Sequence, residues 1–184
     1  MKFSKFIIIP LFIAFQAFTM QAIDQTLAGY LPPAGNAGFG WIAFQAWAMY
    51  FLAGCNVKGG VKTFIGYVSG IVASIAIMQL GAGLSGGLGY WGFPVAVFAI
   101  VVPVICLEKV KWLDFVPSVF VGAGVFFGFM SYIQGATYGG AAISELVYCF
   151  FGLLYGFITV VFRGWYESLV AKQDAQVAVQ RAEA

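Results

Sequence analysis

The sequence predicts an all-α, polytopic membrane helix bundle of about six transmembrane helices with both termini in the cytoplasm. Three observations predict it. Hydrophobic residues make up 62% of the 184 residues and charged residues only 9%, against roughly 25% charged in ordinary soluble domains. A soluble fold with so few charges has nothing to cover its surface, so the natural solvent is lipid. Second, the apolar residues fall into six continuous runs without period-two alternation, which favours helices over a barrel. Third, the cations are confined to alternate connections.

The runs are Phe6–Ile23, Phe39–Cys55, Thr63–Leu80, Leu88–Leu107, Phe115–Tyr132 and Ala142–Phe162. Each is near the roughly 20 residues that cross the hydrocarbon as a helix. Lys2 and Lys5 before the first run imitate a secretory signal. The run continues to Ile23, so we read an uncleaved first span. Turn formers separate the runs: Leu31-Pro32-Pro33-Ala34-Gly35-Asn36, Asn56 to Gly60, Gly81 to Gly87, and Gln134-Gly135 with Gly139-Gly140. The Gly81–Gly92 stretch is read as an outer loop, with a re-entrant dip as the alternative. From Arg163 the composition becomes charged and helix-forming. Residues 1–163 are therefore expected to form the bundle and 164–184 a cytoplasmic helical tail that frays toward Ala184, with Leu169, Val170 and Val177 as a weak apolar edge.

Lys2, Lys5, Lys58, Lys62, Lys109, Lys111, Arg163, Lys172 and Arg181 all fall on one side of a six-span chain. The positive-inside rule makes that side cytoplasmic. Trp41, Trp91, Trp112 and Trp165 lie near span ends, as interfacial belts require, whereas Trp47 falls inside the second span.

Composition also excludes functions. There is no histidine, which removes the commonest acid–base group and metal ligand. Cys55, Cys106 and Cys149 have no Cys-x-x-Cys spacing and read as small packing residues. Gly81-Ala82-Gly83-Leu84-Ser85-Gly86 matches GxGxxG, but no strand precedes it and no acid follows before Glu108, so it is not a dinucleotide site. No cofactor, metal or nucleic acid is expected. Nor is an enzyme, because no paired carboxylates or base-assisted nucleophile are visible.

Gly66/Gly70, Gly124/Gly128 and Gly152/Gly156 are GxxxG pairs and predict helix packing, since small residues let backbones approach closely in lipid. The intramembrane polar residues are Gln16, Gln21, Gln45, Gln79, Ser69 and Ser74, with Asn56 at a span end. Gln45, Asn56, Gln79 and Glu145 are the candidate pore-lining or solute-contacting residues. Glu145 has two readings: an intramembrane coupling acid, or, if the span begins at Leu146, an N-terminal helix acid at the outer interface favoured by the dipole. Asp24 and Gln25 sit comparably at the outer end of the first span. Phe64-Ile65-Gly66 is weakly like Phe120-Val121-Gly122, which hints at a repeated hairpin.

Three segments carry a resemblance: Phe115-Val116-Pro117-Ser118-Val119-Phe120-Val121-Gly122-Ala123, Tyr50 to Cys55 followed by Lys58-Gly59-Gly60-Val61-Lys62, and Gly152-Leu153-Leu154-Tyr155-Gly156. They resemble the YcdZ-like bacterial inner-membrane proteins, catalogued as domain of unknown function 1097. The likeness runs from Trp41 to Arg163. It implies a multi-span bundle in the bacterial inner membrane and no particular activity or site. The functional expectation is a homo-oligomeric channel or facilitator for a small uncharged or weakly charged solute. Alternatives are a proton- or ion-coupled small-solute transporter and a non-transporting assembly or regulatory protein that uses the tail.

Overall fold

A computed structural model describes residues 2–182, and the side chains of residues 2–180; residues 183 and 184 of the predicted tail lie outside it. Every regular element among the described residues is helical: α1 (Phe3–Phe6), α2 (Ile8–Leu27), α3 (Gly40–Leu52), α4 (Val57–Leu88), α5 (Gly92–Cys106), α6 (Val116–Tyr132) and α7 (Tyr138–Ala182). Three helical stretches among them are long and apolar enough to cross a membrane: Phe3–Leu27, Val57–Lys109 and Tyr138–Gln180. The surface fits lipid, since Phe15, Phe18, Phe98, Val72 and Phe150 are all exposed. α3 has only 13 residues, so at about 1.5 Å per residue it rises roughly 20 Å, less than the hydrocarbon thickness.

Local chemistry sets the boundaries. Asn56 caps α4: its Oδ1 accepts the Gly59 amide at 2.9 Å. Thr137 caps α7, accepting the Gly140 amide at 3.1 Å. Pro117 occupies the first turn of α6, where its missing N–H costs nothing. The glycine-rich stretch is not a loop, re-entrant or otherwise. α4 runs through Gly81–Leu88 and stops at Gly89, whose φ of +52° a side chain would resist. A single 3₁₀ turn, Gly89–Trp91, then reverses the chain into α5. Gly81 faces the Phe93 ring and Gly92 faces the Ser85 backbone. These glycines therefore let α4 and α5 touch near their turn.

Helix pairing repeats. α4 packs most extensively on α6, and α3 on α7; α4 also packs closely on α5. At Gly152, a Cβ would meet Ala43 O, Ala46 Cβ and Trp47 N. At Gly70 it would meet Val119 O, Gly122 C and Ala123 N. Both sets sit at positions i, i+3 and i+4 of a short helix lying parallel to a long one. α2 runs antiparallel to α7, with Phe12 stacked on Phe162 at 3.7 Å and Tyr166 donating to the Lys5 carbonyl. α5 runs antiparallel to α4 in the same way. The chain is thus two three-helix repeats, α2–α4 and α5–α7, that interlock through the α4–α6, α3–α7 and α4–α5 contacts, with α4 crossing α7 between them. The repeat equates α4 with α7 and, by these contacts, Gly70 with Gly152; the sequence pattern Phe64-x-Gly66-x-x-x-Gly70 recurs as Phe150-x-Gly152-x-x-x-Gly156, one helical turn out of that structural register. Phe64-Ile65-Gly66 and Phe120-Val121-Gly122 lie on the contacting faces of α4 and α6 instead of at equivalent positions, with Gly66 against Ser118 and Gly122 against Tyr67.

α7 continues unbroken through the tail to Ala182. Its polar extension is tied to the other terminus by Lys5 Nζ to Asp174 Oδ1 at 2.7 Å. That bond holds the Asp174 carboxyl below the usual carboxylate range. Val170 is buried, whereas Leu169 and Val177 are exposed.

Candidate functional site in the α4–α7 crossing

The crossing is lined by Tyr67 from α4 and by Glu145, Tyr148 and Cys149 from α7, all essentially inaccessible at 0–1% exposure. Glu145 and Cys149 lie one turn apart on α7, and Tyr67 is within Coulombic range of both. Phe126 and Phe129 of α6 close the cluster. Three buried polar atoms find no hydrogen-bond partner among the described residues: Tyr67 Oη and both carboxylate oxygens of Glu145. Buried polar groups are nearly always paired, and an unpaired carboxylate is the costliest exception. The position also decides between the two readings of Glu145. α7 begins at Tyr138 instead of Leu146, so Glu145 lies about two turns inside the helix and is fully buried. It does not lie in the first turn of α7.

A second acid stands beside this cluster. Asp24 is 4% exposed at the end of α2. Its carboxylate accepts the Phe39 amide at 2.8 Å, the Tyr148 hydroxyl, and Gln21 Nε2 at 3.0 Å. One side chain therefore joins the end of α2, the start of α3 and the middle of α7. Gly38 and Gly40 make room for it; a Cβ on either would strike the carboxylate. Gln25, its neighbour in sequence, is exposed.

A third polar set links α2, α3 and α7. Thr159 Oγ1 donates to Gln16 Oε1 at 2.8 Å or to its own helix carbonyl at Tyr155, and accepts Trp47 Nε1 at 3.1 Å. Gln16 Nε2 reaches the Tyr155 carbonyl and Thr19 bonds the Tyr155 hydroxyl. This network is satisfied, in contrast to Glu145.

The sequence-derived candidates do not converge. Gln45 and Gln79 are exposed on the outside of the bundle, and Asn56 is an exposed helix cap. Only Glu145 lies in the core. Gln45, Gln79 and Glu145 line none of five surface grooves. Among the GxxxG pairs, Gly66, Gly70, Gly152 and Gly156 sit in helix contacts, but Gly124 and Gly128 have nothing within 4 Å. In α6 the close approach falls on Gly122, where a Cβ would stand 2.6 Å from Tyr67 Cα. Cys149 is buried, while Cys55 and Cys106 are exposed and are not packing residues within the chain. Sequence reasoning passed over Tyr67, Tyr148 and Phe39. Tyr67 lies inside a GxxxG face and Tyr148 one turn from Glu145, so helical spacing from those residues was the available signal.

No group of three or more metal-ligating side chains gathers among the described residues. No curated protein and no solved structure matches the chain. Residues 7–164 match the family model described as Protein of unknown function (DUF1097), and the chain belongs to that family.

Proposed function

We propose that the chain is a proton-coupled transporter of a small uncharged or weakly charged solute, with Glu145 as the coupling acid. It crosses the bacterial inner membrane six times, with both termini in the cytoplasm. The observation that carries this reading is the Glu145 carboxyl, sealed at the junction of two oppositely running halves with neither oxygen paired. Intramembrane acids mark ion and proton pathways. Oppositely oriented repeats place coupling sites where the halves meet and reach them from alternate sides. In this reading Glu145 carries its proton while sealed and exchanges it when the halves rearrange. Lys5–Asp174 ties the two terminal segments together and Lys62–Asp114 ties the start of α4 to the connection before α6 at the basic side, which supports a common cytoplasmic face.

The facilitator reading stands second, favoured by five spans without a charged residue. The two are separated in proteoliposomes by following glycerol, urea, glycine and lactate with and without a proton gradient. Coupled transport is expected to give gradient-dependent uptake that Glu145→Gln abolishes and Gln45→Leu leaves intact. Flux indifferent to both the gradient and Glu145→Gln favours the facilitator. Silent flux assays, together with loss of cellular function on deleting 173–184, would leave a non-transporting assembly or regulatory role.

A further inference from the structure

A cavity of about 490 Å3 opens between residues 33–39 and residues 132–135, on the side opposite the basic connections. No charged residue lines it; Asn36, Gln134 and the backbone of three glycines supply its polarity. Phe39, the start of α3, is among its lining residues and is itself 2% exposed. Phe39 packs on Phe129 at 4.6 Å between ring centres and meets Tyr148 edge-on at 6.0 Å. Beneath those rings lie Tyr67 and Cys149, in the same apolar cluster. The cavity wall is pinned to α7 on both sides of Glu145. Ser144 donates to the Pro32 carbonyl at 2.7 Å, and Tyr148 reaches Asp24, which also holds the Phe39 amide.

We propose that this cavity is the outer entrance to the Tyr67–Glu145 cluster for a small neutral polar solute, and that Phe39 is its plug, latched by Asp24. The inference rests on the transport reading and names the side and the route by which Glu145 is reached. The volume suits a small molecule, and an aromatic plug over an apolar constriction excludes water while closed. Because Asp24 bonds both the Phe39 backbone amide and the Tyr148 hydroxyl, a shift of Asp24 would release the plug's backbone and α7 next to Glu145 together.

Cys149 is the reporter, one turn from Glu145 and buried. In the full chain carrying Cys55→Ser and Cys106→Ser, its labelling by a membrane-impermeant maleimide is timed in right-side-out and inside-out vesicles. Phe39→Ala is expected to speed labelling at least tenfold from the outer side and to leave the inner-side rate unchanged. Asp24→Asn should raise the outer-side rate to a lesser degree. Phe39→Leu keeps the core filled, should fall between parent and Ala, and serves if the Ala variant does not fold. Rates within twofold of the parent for folded Phe39→Ala or Phe39→Leu, or equal acceleration from both sides, overturn the proposal. Labelling needs no solute. A gated Cys149 with flux indifferent to Glu145→Gln would therefore sink the proton-coupled reading and leave the plug, and the converse result would do the reverse.

Discussion

Alanine at Gly152 and alanine at Gly124 should have opposite effects on stability, although both glycines open a GxxxG pair. A Cβ on Gly152 would stand 2.8 Å from Ala46 Cβ and 2.9 Å from Trp47 N, and closer still to the Ala43 carbonyl oxygen. Ordinary contact begins at 3.4 Å, so α3 must withdraw by about 0.6 Å at Ala46 and by more at Ala43. The blocking atoms are mostly backbone and cannot rotate away. A withdrawal of that size also carries the 3.1 Å Trp47–Thr159 bond toward the limit of hydrogen-bond geometry. Overpacking of this kind costs about 1–3 kcal/mol, offset by about 1 kcal/mol of helix propensity gained over glycine. Gly124 meets nothing within 4 Å, so only the propensity gain of up to about 1 kcal/mol remains. The propensity gain is common to both, so the two variants should differ by about 1–3 kcal/mol, or roughly 5- to 150-fold in the unfolding constant. Tryptophan fluorescence during unfolding by sodium dodecyl sulfate reads this directly, on protein shown to be monomeric in its micelle. Equal destabilisation by Gly124→Ala and Gly152→Ala in that monomer would refute the helix contacts described above.

Two further tests address the polar interior and the basic face. Thr159→Val removes the group between Gln16 and Trp47 and should cost about 1 kcal/mol, in the range measured for interhelical hydrogen bonds; the same unfolding assay checks it. At the basic face, the 2.6 Å bond from Lys62 Nζ holds the Asp114 carboxyl below the usual carboxylate range. A lowered folded-state value contributes stability that is fully present above the ordinary value of 3.8 and fades as pH falls through the lowered one. Melting temperature should therefore fall more steeply with acid in the parent than in Asp114→Asn, the two curves converging below pH 3.8. Parallel acid limbs would show that the pair contributes nothing.

Much of the fold was legible because it is dictated by solvent. Long, continuously apolar runs in lipid favour helices; the segments opening at Phe39 and Phe115 each contain an observed helix, and the one opening at Ala142 lies inside α7. The glycine-rich run Gly81–Gly87 was misread as a loop because glycine signals two opposed things. It permits turns, and it also permits helices to touch, and only a partner such as Phe93 distinguishes the uses. The same ambiguity hid Gly122 behind Gly124 and Gly128. Spacing identifies a small face, but which face meets a neighbour depends on helix rotation, which Tyr67 on α4 sets from outside the motif. Glu145 was recognisable as a lone acid, while its depth was not, because α7 begins at Thr137–Tyr138 in a polar, glycine-bearing stretch. Phe39 left no sequence trace, since one phenylalanine among 20 acquires its place only from Asp24, 15 residues away.

The repeat supplies an internal control for Glu145. Aligning the halves by their equivalent contacts, Gly70 on α6 and Gly152 on α3, sets Thr63 opposite Glu145 and Tyr67 opposite Cys149. Tyr67 and Cys149 are themselves neighbours at the crossing, as residues near a two-fold axis must be. Thr63 is fully buried like Glu145, but its hydroxyl is satisfied by the Gly59 carbonyl at 3.0 Å. The same structural position is thus filled in one half by a side chain that closes its own bond, and in the other by a carboxyl that closes none. Packing alone is served by the threonine solution. If the acid is there for proton exchange, Glu145→Thr should fold, should unfold at least as reluctantly as the parent, and should lose gradient-dependent uptake. A folded Glu145→Thr variant that keeps gradient-dependent uptake would overturn the coupling role, and Glu145→Gln, which leaves no void, separates loss of a carboxyl partner from loss of packed volume.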